Sequence, residues 1–172
     1  MTDGSIYYVG GIGPGNFTTI QSAIDIASDN DTVFVFSGIY YEKIVIDKSI
    51  YLIGENKYTT IIDAGGNGDA VKIIADGLYL CNFTIQHTGI GNTRDVLESS
   101  AIEIFSSNFH VIENVICKDT NYGIWTDYSD NNLICDNIFY AHYDGISLDE
   151  SKNNILRNNS MFGSGLVLGG SS

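Results

Sequence analysis

The second half of the chain repeats itself. "AIEIFSSNFHVIENVICKDTNY" starts at Ala101, "GIWTDYSDNNLICDNIFYAHYD" at Gly123 and "GISLDESKNNILRNNSMF" at Gly145, each 22 residues after the last. "AVKIIADGLYLCNFTIQ" at Ala70 opens an earlier unit and "GLVL" at Gly165 a later one. A short fixed period constrains a fold more than any composition does, because each unit must bury its apolar face against the next.

Alignment of the units puts Val71, Ile102, Ile124, Ile146 and Leu166 in one column. Ile73, Ile104, Thr126, Leu148 and Leu168 form a second, two residues on. Alternation of this kind is one face of a short strand. A third column reads Leu80, Val111, Ile134 and Leu156, and a fourth Ile85, Ile116, Phe139 and Met161. Each unit thus holds about three brief strands, too short to pair within themselves and too few residues for a helix pair. They pair only with the next unit, so the predicted fold is all-β: a right-handed, single-stranded parallel β-helix with coils about 4.8 Å apart.

The repeated Asn pairs acquire a role in that stack. Phe83, Asn114, Asn137 and Asn159 align, as do Leu78, Phe109, Asn132 and Asn154. Asn disfavours strands, but amides stacked in a turn can hydrogen-bond along the column. At the other end, "FTTIQSAIDIA" places Thr18 and Gln21 at capping-box spacing, with Ile20, Ala23, Ile24 and Ala27 on one helical face. A short helix over 17–28 is expected to cap the core, followed by coils over 31–168, all in one domain spanning 1–172. The final coil stops one strand in, which suggests an N-terminal piece of a longer solenoid or an end that pairs with another copy. The run "GGIGPGN" matches neither dinucleotide nor P-loop spacing and reads as a connector.

Charge and cysteines narrow the partners. Eight basic against 21 acidic residues give a net charge of -13, which repels nucleic acid and anionic membranes. No apolar run reaches the ~18 residues of a membrane span, and the N-terminus lacks the pattern of a signal peptide. Acidic loops offer oxygen ligands of the kind Ca²⁺ takes, although EF-hand spacing is absent. No other cofactor is expected. Cys81, Cys117 and Cys135 form no C-x-x-C; Cys81 and Cys135 fall two coils apart, beyond disulfide reach, so three free thiols are expected. Four N-x-[ST] sequons start at Asn16, Asn30, Asn82 and Asn158.

The opening "FTTIQSAIDIASDNDTVFVFSGIYYEKIVIDKSIYLIGE" and the later coils with "NN" pairs resemble the parallel β-helix proteins of the pectin-lyase-like superfold, and within it the NosD-like surface repeats. The resemblance implies the β-helix fold and a secreted, cell-surface or periplasmic location. It does not fix an activity, because the superfold carries lyases, hydrolases, esterases and structural segments. The Gln-Asp, Asp and Arg set of pectin methylesterases is missing, as are the R-x-P-x-x-R segment of pectate lyases and the polygalacturonase motifs. His87, His110 and His142 are scattered, without the clustering that copper-enzyme maturation would suggest.

Function is then sought on outward residues. Lys72, Glu103, Trp125, Ser147 and Val167 form the outward column between the two core columns, and Phe105, Asp127 and Asp149 lie just beyond it. Trp125 with Tyr122, Tyr128 and Tyr143 offers rings for sugar stacking, and Asp127 and Asp149 offer hydroxyl acceptors. Tyr140 and His142 lie beside them. The stretch from His87 to Ser100 lengthens one coil by nine residues and directs Arg94, Asp95 and Glu98 toward the Lys72 and Glu103 side. The leading reading is a non-catalytic structural or carbohydrate-binding segment with a cell-wall glycan as partner. The alternative is a polysaccharide lyase or hydrolase using Asp127, Asp149 and Glu103. A third is end-to-end self-association.

Overall fold

The structure, a computed structural model, describes residues 4–89, 99–163 and 165–169. In chain order its elements are β1 (Ile6–Val9), α1 (Ile20–Ile26), β2 (Thr32–Val35), β3 (Gly38–Tyr40), β4 (Ile44–Ile46), β5 (Tyr51–Gly54), β6 (Thr60–Asp63), β7 (Val71–Ile73), β8 (Tyr79–Cys81), β9 (Thr84–Gly89), β10 (Ser100–Phe105), β11 (Val111–Glu113), β12 (Ile116–Asp127), β13 (Leu133–Cys135), β14 (Ile138–Asp149), β15 (Ile155–Arg157), β16 (Ser160–Met161) and β17 (Gly165–Gly169). The paired strands run parallel. One sheet has seven strands in the order β1-β2-β5-β8-β11-β13-β15, one for each turn of a β-solenoid.

The remaining strands form a second, bent sheet. Most turns contribute two separate strands to it, but β12 and β14 run twelve residues each without a break. β12 pairs with β9 through Ile116–Lys118 and with β10 through Ile102↔Ile124 and its neighbours. The two halves join across register shifts around Thr120, so the corner is a bulge. Inside both sheets, Val71, Ile102, Ile124 and Ile146 are fully buried, as are Ile73, Ile104, Leu52, Leu80, Phe83 and Phe139.

Two core columns differ from the expected alignment by one residue in one coil. Leu80 pairs with Ile112, not Val111, and Ile85 pairs with Cys117, not Ile116. Counted along that register, His110 and not Phe109 shares the column of Leu78, Asn132 and Asn154; Val115 and not Asn114 shares that of Phe83, Asn137 and Asn159. The reason is burial. His110 and Val115 are inside, whereas Phe109 is 62% exposed, and the apolar letters of "NFHVIENVIC" fit either parity.

Within each Asn pair the two residues do different things. The first adopts left-handed backbone: φ is 60° at Asn131, 58° at Asn153 and 54° at Asn158, with Asn82, Asn114 and Asp136 at equivalent positions. Asn and Asp tolerate this region better than other side chains. The second turns inward and accepts a main-chain N–H from the preceding coil. Asn132 Oδ1 accepts from His110 N at 2.9 Å, Asn154 Oδ1 from Asn132 N at 2.8 Å and Asn137 Oδ1 from Val115 N at 2.8 Å. Their Nδ2 groups donate chiefly to main-chain carbonyls, Asn137 to Ile112 O at 3.0 Å and Asn159 to Ile134 O at 2.8 Å. Serines repeat the device, Ser129 Oγ accepting from Ser107 N at 3.2 Å and Ser151 Oγ from Ser129 N at 3.0 Å. Turn N–H groups that no strand can pair are thereby satisfied in the interior.

The helix is shorter than 17–28, and its cap is Thr19 and not Thr18. Thr19 is the last extended residue (φ -128°, ψ 147°), and its side chain accepts from Ser22 N. Gln21 forms no capping box; its amide bridges Asp25 and the backbone of Val45. The Glu42 carboxylate accepts instead from Ile20 N at 2.8 Å and Gln21 N at 3.1 Å. Ile20, Ala23 and Ile24 are buried, and the helix packs on β1, β2 and β4.

Candidate functional site

Strand register carries the predicted outward residues onto one surface. Lys72, Glu103, Trp125, Ser147 and Val167 are successive partners, as are Phe105, Asp127, Asp149 and Gly169. Asp69, Glu103, Phe105, Trp125 and Asp127 line a cleft of about 320 Å³. Lys72 Nζ lies 2.6 Å from Glu103 Oε2 and 5.6 Å from the centre of the Phe105 ring. Burial pushes the Glu103 carboxyl up; the bond to Lys72 draws it back, and the neighbouring Asp69 charge raises it, leaving it above the ordinary glutamate value. Asp69 itself is fixed by Ser100, whose N–H and hydroxyl donate to its Oδ1 at 2.8 and 2.6 Å.

An aromatic chain continues from the cleft. The ring of Tyr122 lies 5.1 Å from Trp125 and 6.0 Å from Tyr143, and His142 lies 4.8 Å from Tyr143. The Trp125 Nε1 atom is buried and bonds to no protein atom among the described residues. Tyr128 stands apart at 61% exposure, and Tyr140 stacks on Phe162 at 5.0 Å. Asp149 is the strand neighbour of Asp127 but does not line the cleft; its carboxylate leans over Gly169. Arg94, Asp95 and Glu98 lie outside the described residues.

A second cluster was not expected from sequence. His87 and Asp119 occupy equivalent bulge positions on β9 and β12, both in left-handed backbone, at φ 55° and 52°. His87 Nδ1 lies 2.7 Å from Asp63 Oδ2, and His87 Nε2 lies 3.6 Å from Asp119 Oδ2. With Tyr41, Gly65, Gly66 and Gly89 they line a groove of about 730 Å³. Burial pushes the Asp63 carboxyl up, but bonds from the Gln86 amide, the Gly65 N–H and His87 outweigh it and hold it below the usual aspartate value. The signal that could have found the cluster is the loss of periodicity at "QHTG" and "KDTN", where the strands bulge.

Comparison with known proteins agrees with this architecture. A pectin methylesterase in complex with a hexasaccharide superposes with a TM-score of 0.71 at 17% identity, over 90% of this chain and 54% of that one. Pectin methylesterase PemA from Erwinia chrysanthemi gives 0.68 at 16%, over 94% and 55%. An alginate lyase from Paenibacillus sp. gives 0.69 at 13%, over 87% and 61%. The chain therefore spans a little over half the length of these proteins, and at such identities the likeness shows the fold. No curated protein matches the sequence.

A family model described as periplasmic copper-binding protein (NosD) matches residues 24–171. That description implies copper, and the donors found here do not fit it. Among the described residues no three or more of His, Cys, Asp and Glu are placed to share an ion. His110 is buried and commits its ring nitrogens to Leu78 N and Ser107 Oγ, and Cys117 is sealed in the core. By its match over most of its length, and by the solenoid it forms, the chain belongs to the NosD family of β-helix proteins.

Proposed function

We propose that this chain is a glycan-binding β-helix segment that works outside the cytoplasm, holding a polysaccharide against the outward face of its bent sheet. The observation that carries the reading is the cleft in which Trp125 and Phe105 stand beside Asp69, Glu103 and Asp127. Apolar ring faces with a few fixed carboxylates are what a sugar needs: CH faces stack and hydroxyls donate. The amide and serine columns keep neighbouring coils in register, which fixes the spacing of these side chains. The family's periplasmic description and the saccharide-handling neighbours support the location and the ligand class.

The charge of the cleft favours an uncharged glycan over a polyuronate. Three carboxylates line it, and the lysine beside it is engaged by Glu103. Calorimetry with neutral oligosaccharides and with oligogalacturonate tests this. Saturable binding of a neutral glycan that is lost in Trp125→Ala supports the reading, and absence of binding to any glycan rejects it.

The alternative reading is catalysis, favoured by the raised Glu103 carboxyl. A glutamate whose burial raises its affinity for a proton is suited to act as a general acid toward a glycosidic oxygen, with Asp127 as the second carboxyl. Reducing-end or unsaturated-product release that disappears in Glu103→Gln would establish it.

A further inference from the structure

The Asp63–His87–Asp119 groove shares no lining residue with the Trp125 cleft. Its proton arrangement is determinate at one end. Asp63 is ionised and already accepts from Gly65 N at 3.0 Å and Gln86 Nε2 at 2.8 Å, so the 2.7 Å contact to His87 requires a proton on Nδ1. The other nitrogen, Nε2, then faces the Asp119 carboxylate at 3.6 Å. When the imidazole is neutral, a lone pair and an anion face each other with no hydrogen between them. Either a second proton on His87 or an outside donor must fill that gap.

We infer that the groove is a second ligand site, taking an amino-bearing saccharide whose primary ammonium donates to both His87 Nε2 and Asp119 Oδ2. A donor about 2.9 Å from both atoms would make two nearly linear bonds across a gap of this width, one of them charge-assisted. The surroundings suit a cation. Asp63 and Asp119 are acidic, Tyr41 presents an aromatic wall, and none of the described lining residues is Lys or Arg. In the adjoining hollow Lys43 is tied to Asn67 Oδ1 at 2.5 Å and Glu42 to the start of α1. A volume of about 730 Å³ exceeds what an ammonium fills and matches a sugar-sized ligand. Gly65, Gly66 and Gly89 leave the floor free of side chains, and the left-handed bulges turn His87 and Asp119 out of their strands.

The site is independent of the Trp125 cleft and is tested with glucosamine as probe, against glucose and N-acetylglucosamine. Titration calorimetry on the whole chain should show saturable glucosamine binding, weaker by about tenfold or more for the two neutral sugars and for Asp119→Asn. His87→Ala should lose it likewise, whereas Trp125→Ala should keep it. Absence of saturable binding, equal binding of glucose, or full binding by Asp119→Asn would overturn the inference.

Discussion

The backbone N–H of Leu78 donates to Nδ1 of His110, one coil away, at 3.1 Å. This is the bond that Asn132 Oδ1 makes to His110 N and Asn154 Oδ1 makes to Asn132 N, so an imidazole stands in for an amide in the same column. Because Nδ1 accepts, the proton sits on Nε2, which donates to Ser107 Oγ at 3.1 Å. Burial lowers the His110 pKa from 6.5 to about 4. The folded state therefore binds a proton less readily than the unfolded state. The resulting stability is complete above the unfolded value of 6.5 and is lost as pH falls toward 4, by about 3 kcal/mol at most. Urea melts across that window should show the slope in the wild type. His110→Asn should keep the fold and flatten the slope, because Asn supplies the acceptor without titrating. An unchanged slope in that variant would remove His110 as its source.

The division of labour inside each Asn pair predicts opposite tolerances at adjacent residues. Asn131 holds left-handed backbone, so Asn131→Gly should change stability by less than about 0.5 kcal/mol, while Asn131→Val should cost about 1–2 kcal/mol. Asn132 is 1% exposed, and Asn132→Ala leaves the buried His110 N–H without its acceptor. The expected cost is about 1–3 kcal/mol. Ser129 O would not add to it, because Asn154 Nδ2 also donates there at 3.0 Å. Equal sensitivity at 131 and 132 in denaturant melts would contradict the assignment.

Much of this was legible in the letters, for a physical reason. Ile102, Ile124 and Ile146 recur at one spacing because a solenoid coil has one circumference, and Glu103, Trp125 and Asp127 follow from the same count. The slip at Phe109 and Val111 arose where apolar letters fill both parities and the buried position holds a histidine. The helix cap was misplaced by one residue because Glu42, far along the chain, holds the first helical N–H groups, those of Ile20 and Gln21, where a local capping box was expected. His87 and Asp119 were invisible because they sit at bulges around a lengthened coil, and Asp63 because it closes a regular strand beside them; separations of 24 and 32 residues replace the 22-residue count. Asp69 was missed for a related reason: it lies just before its strand, outside the alternating columns.

The raised Glu103 carboxyl predicts a measurable coupling. Its causes are burial first, then opposing contributions from Lys72 and Asp69. A native state that holds this proton more tightly than the unfolded chain loses stability as pH rises through the interval between the ordinary glutamate value and its own raised one. Asp69→Asn removes the neighbouring negative charge, so the Glu103 pKa should fall, and Lys72→Met should raise it. Carboxyl carbon shifts followed by NMR titration read both directly. A Glu103 pKa that ignores Asp69→Asn would place the cause in burial alone.

Cysteine reactivity tests the register at its longest reach. Cys81 pairs across to Glu113, and Glu113 to Cys135, so the two thiols stand two coils apart, about 9 to 10 Å between backbones. That distance excludes a disulfide, and all three cysteines are free. Burial pushes all three thiols up, Cys117 furthest because it is wholly enclosed between Ile85 and Phe139. A thiol kept protonated is a poor nucleophile. Native protein should therefore react slowly with a disulfide reagent at neutral pH, with Cys117 the slowest of the three. In denaturant without reductant the same reagent should titrate three thiols per chain. A count of one would require two of the three to be bonded, and the coil spacing that underlies both the Trp125 cleft and the His87 groove would have to be abandoned.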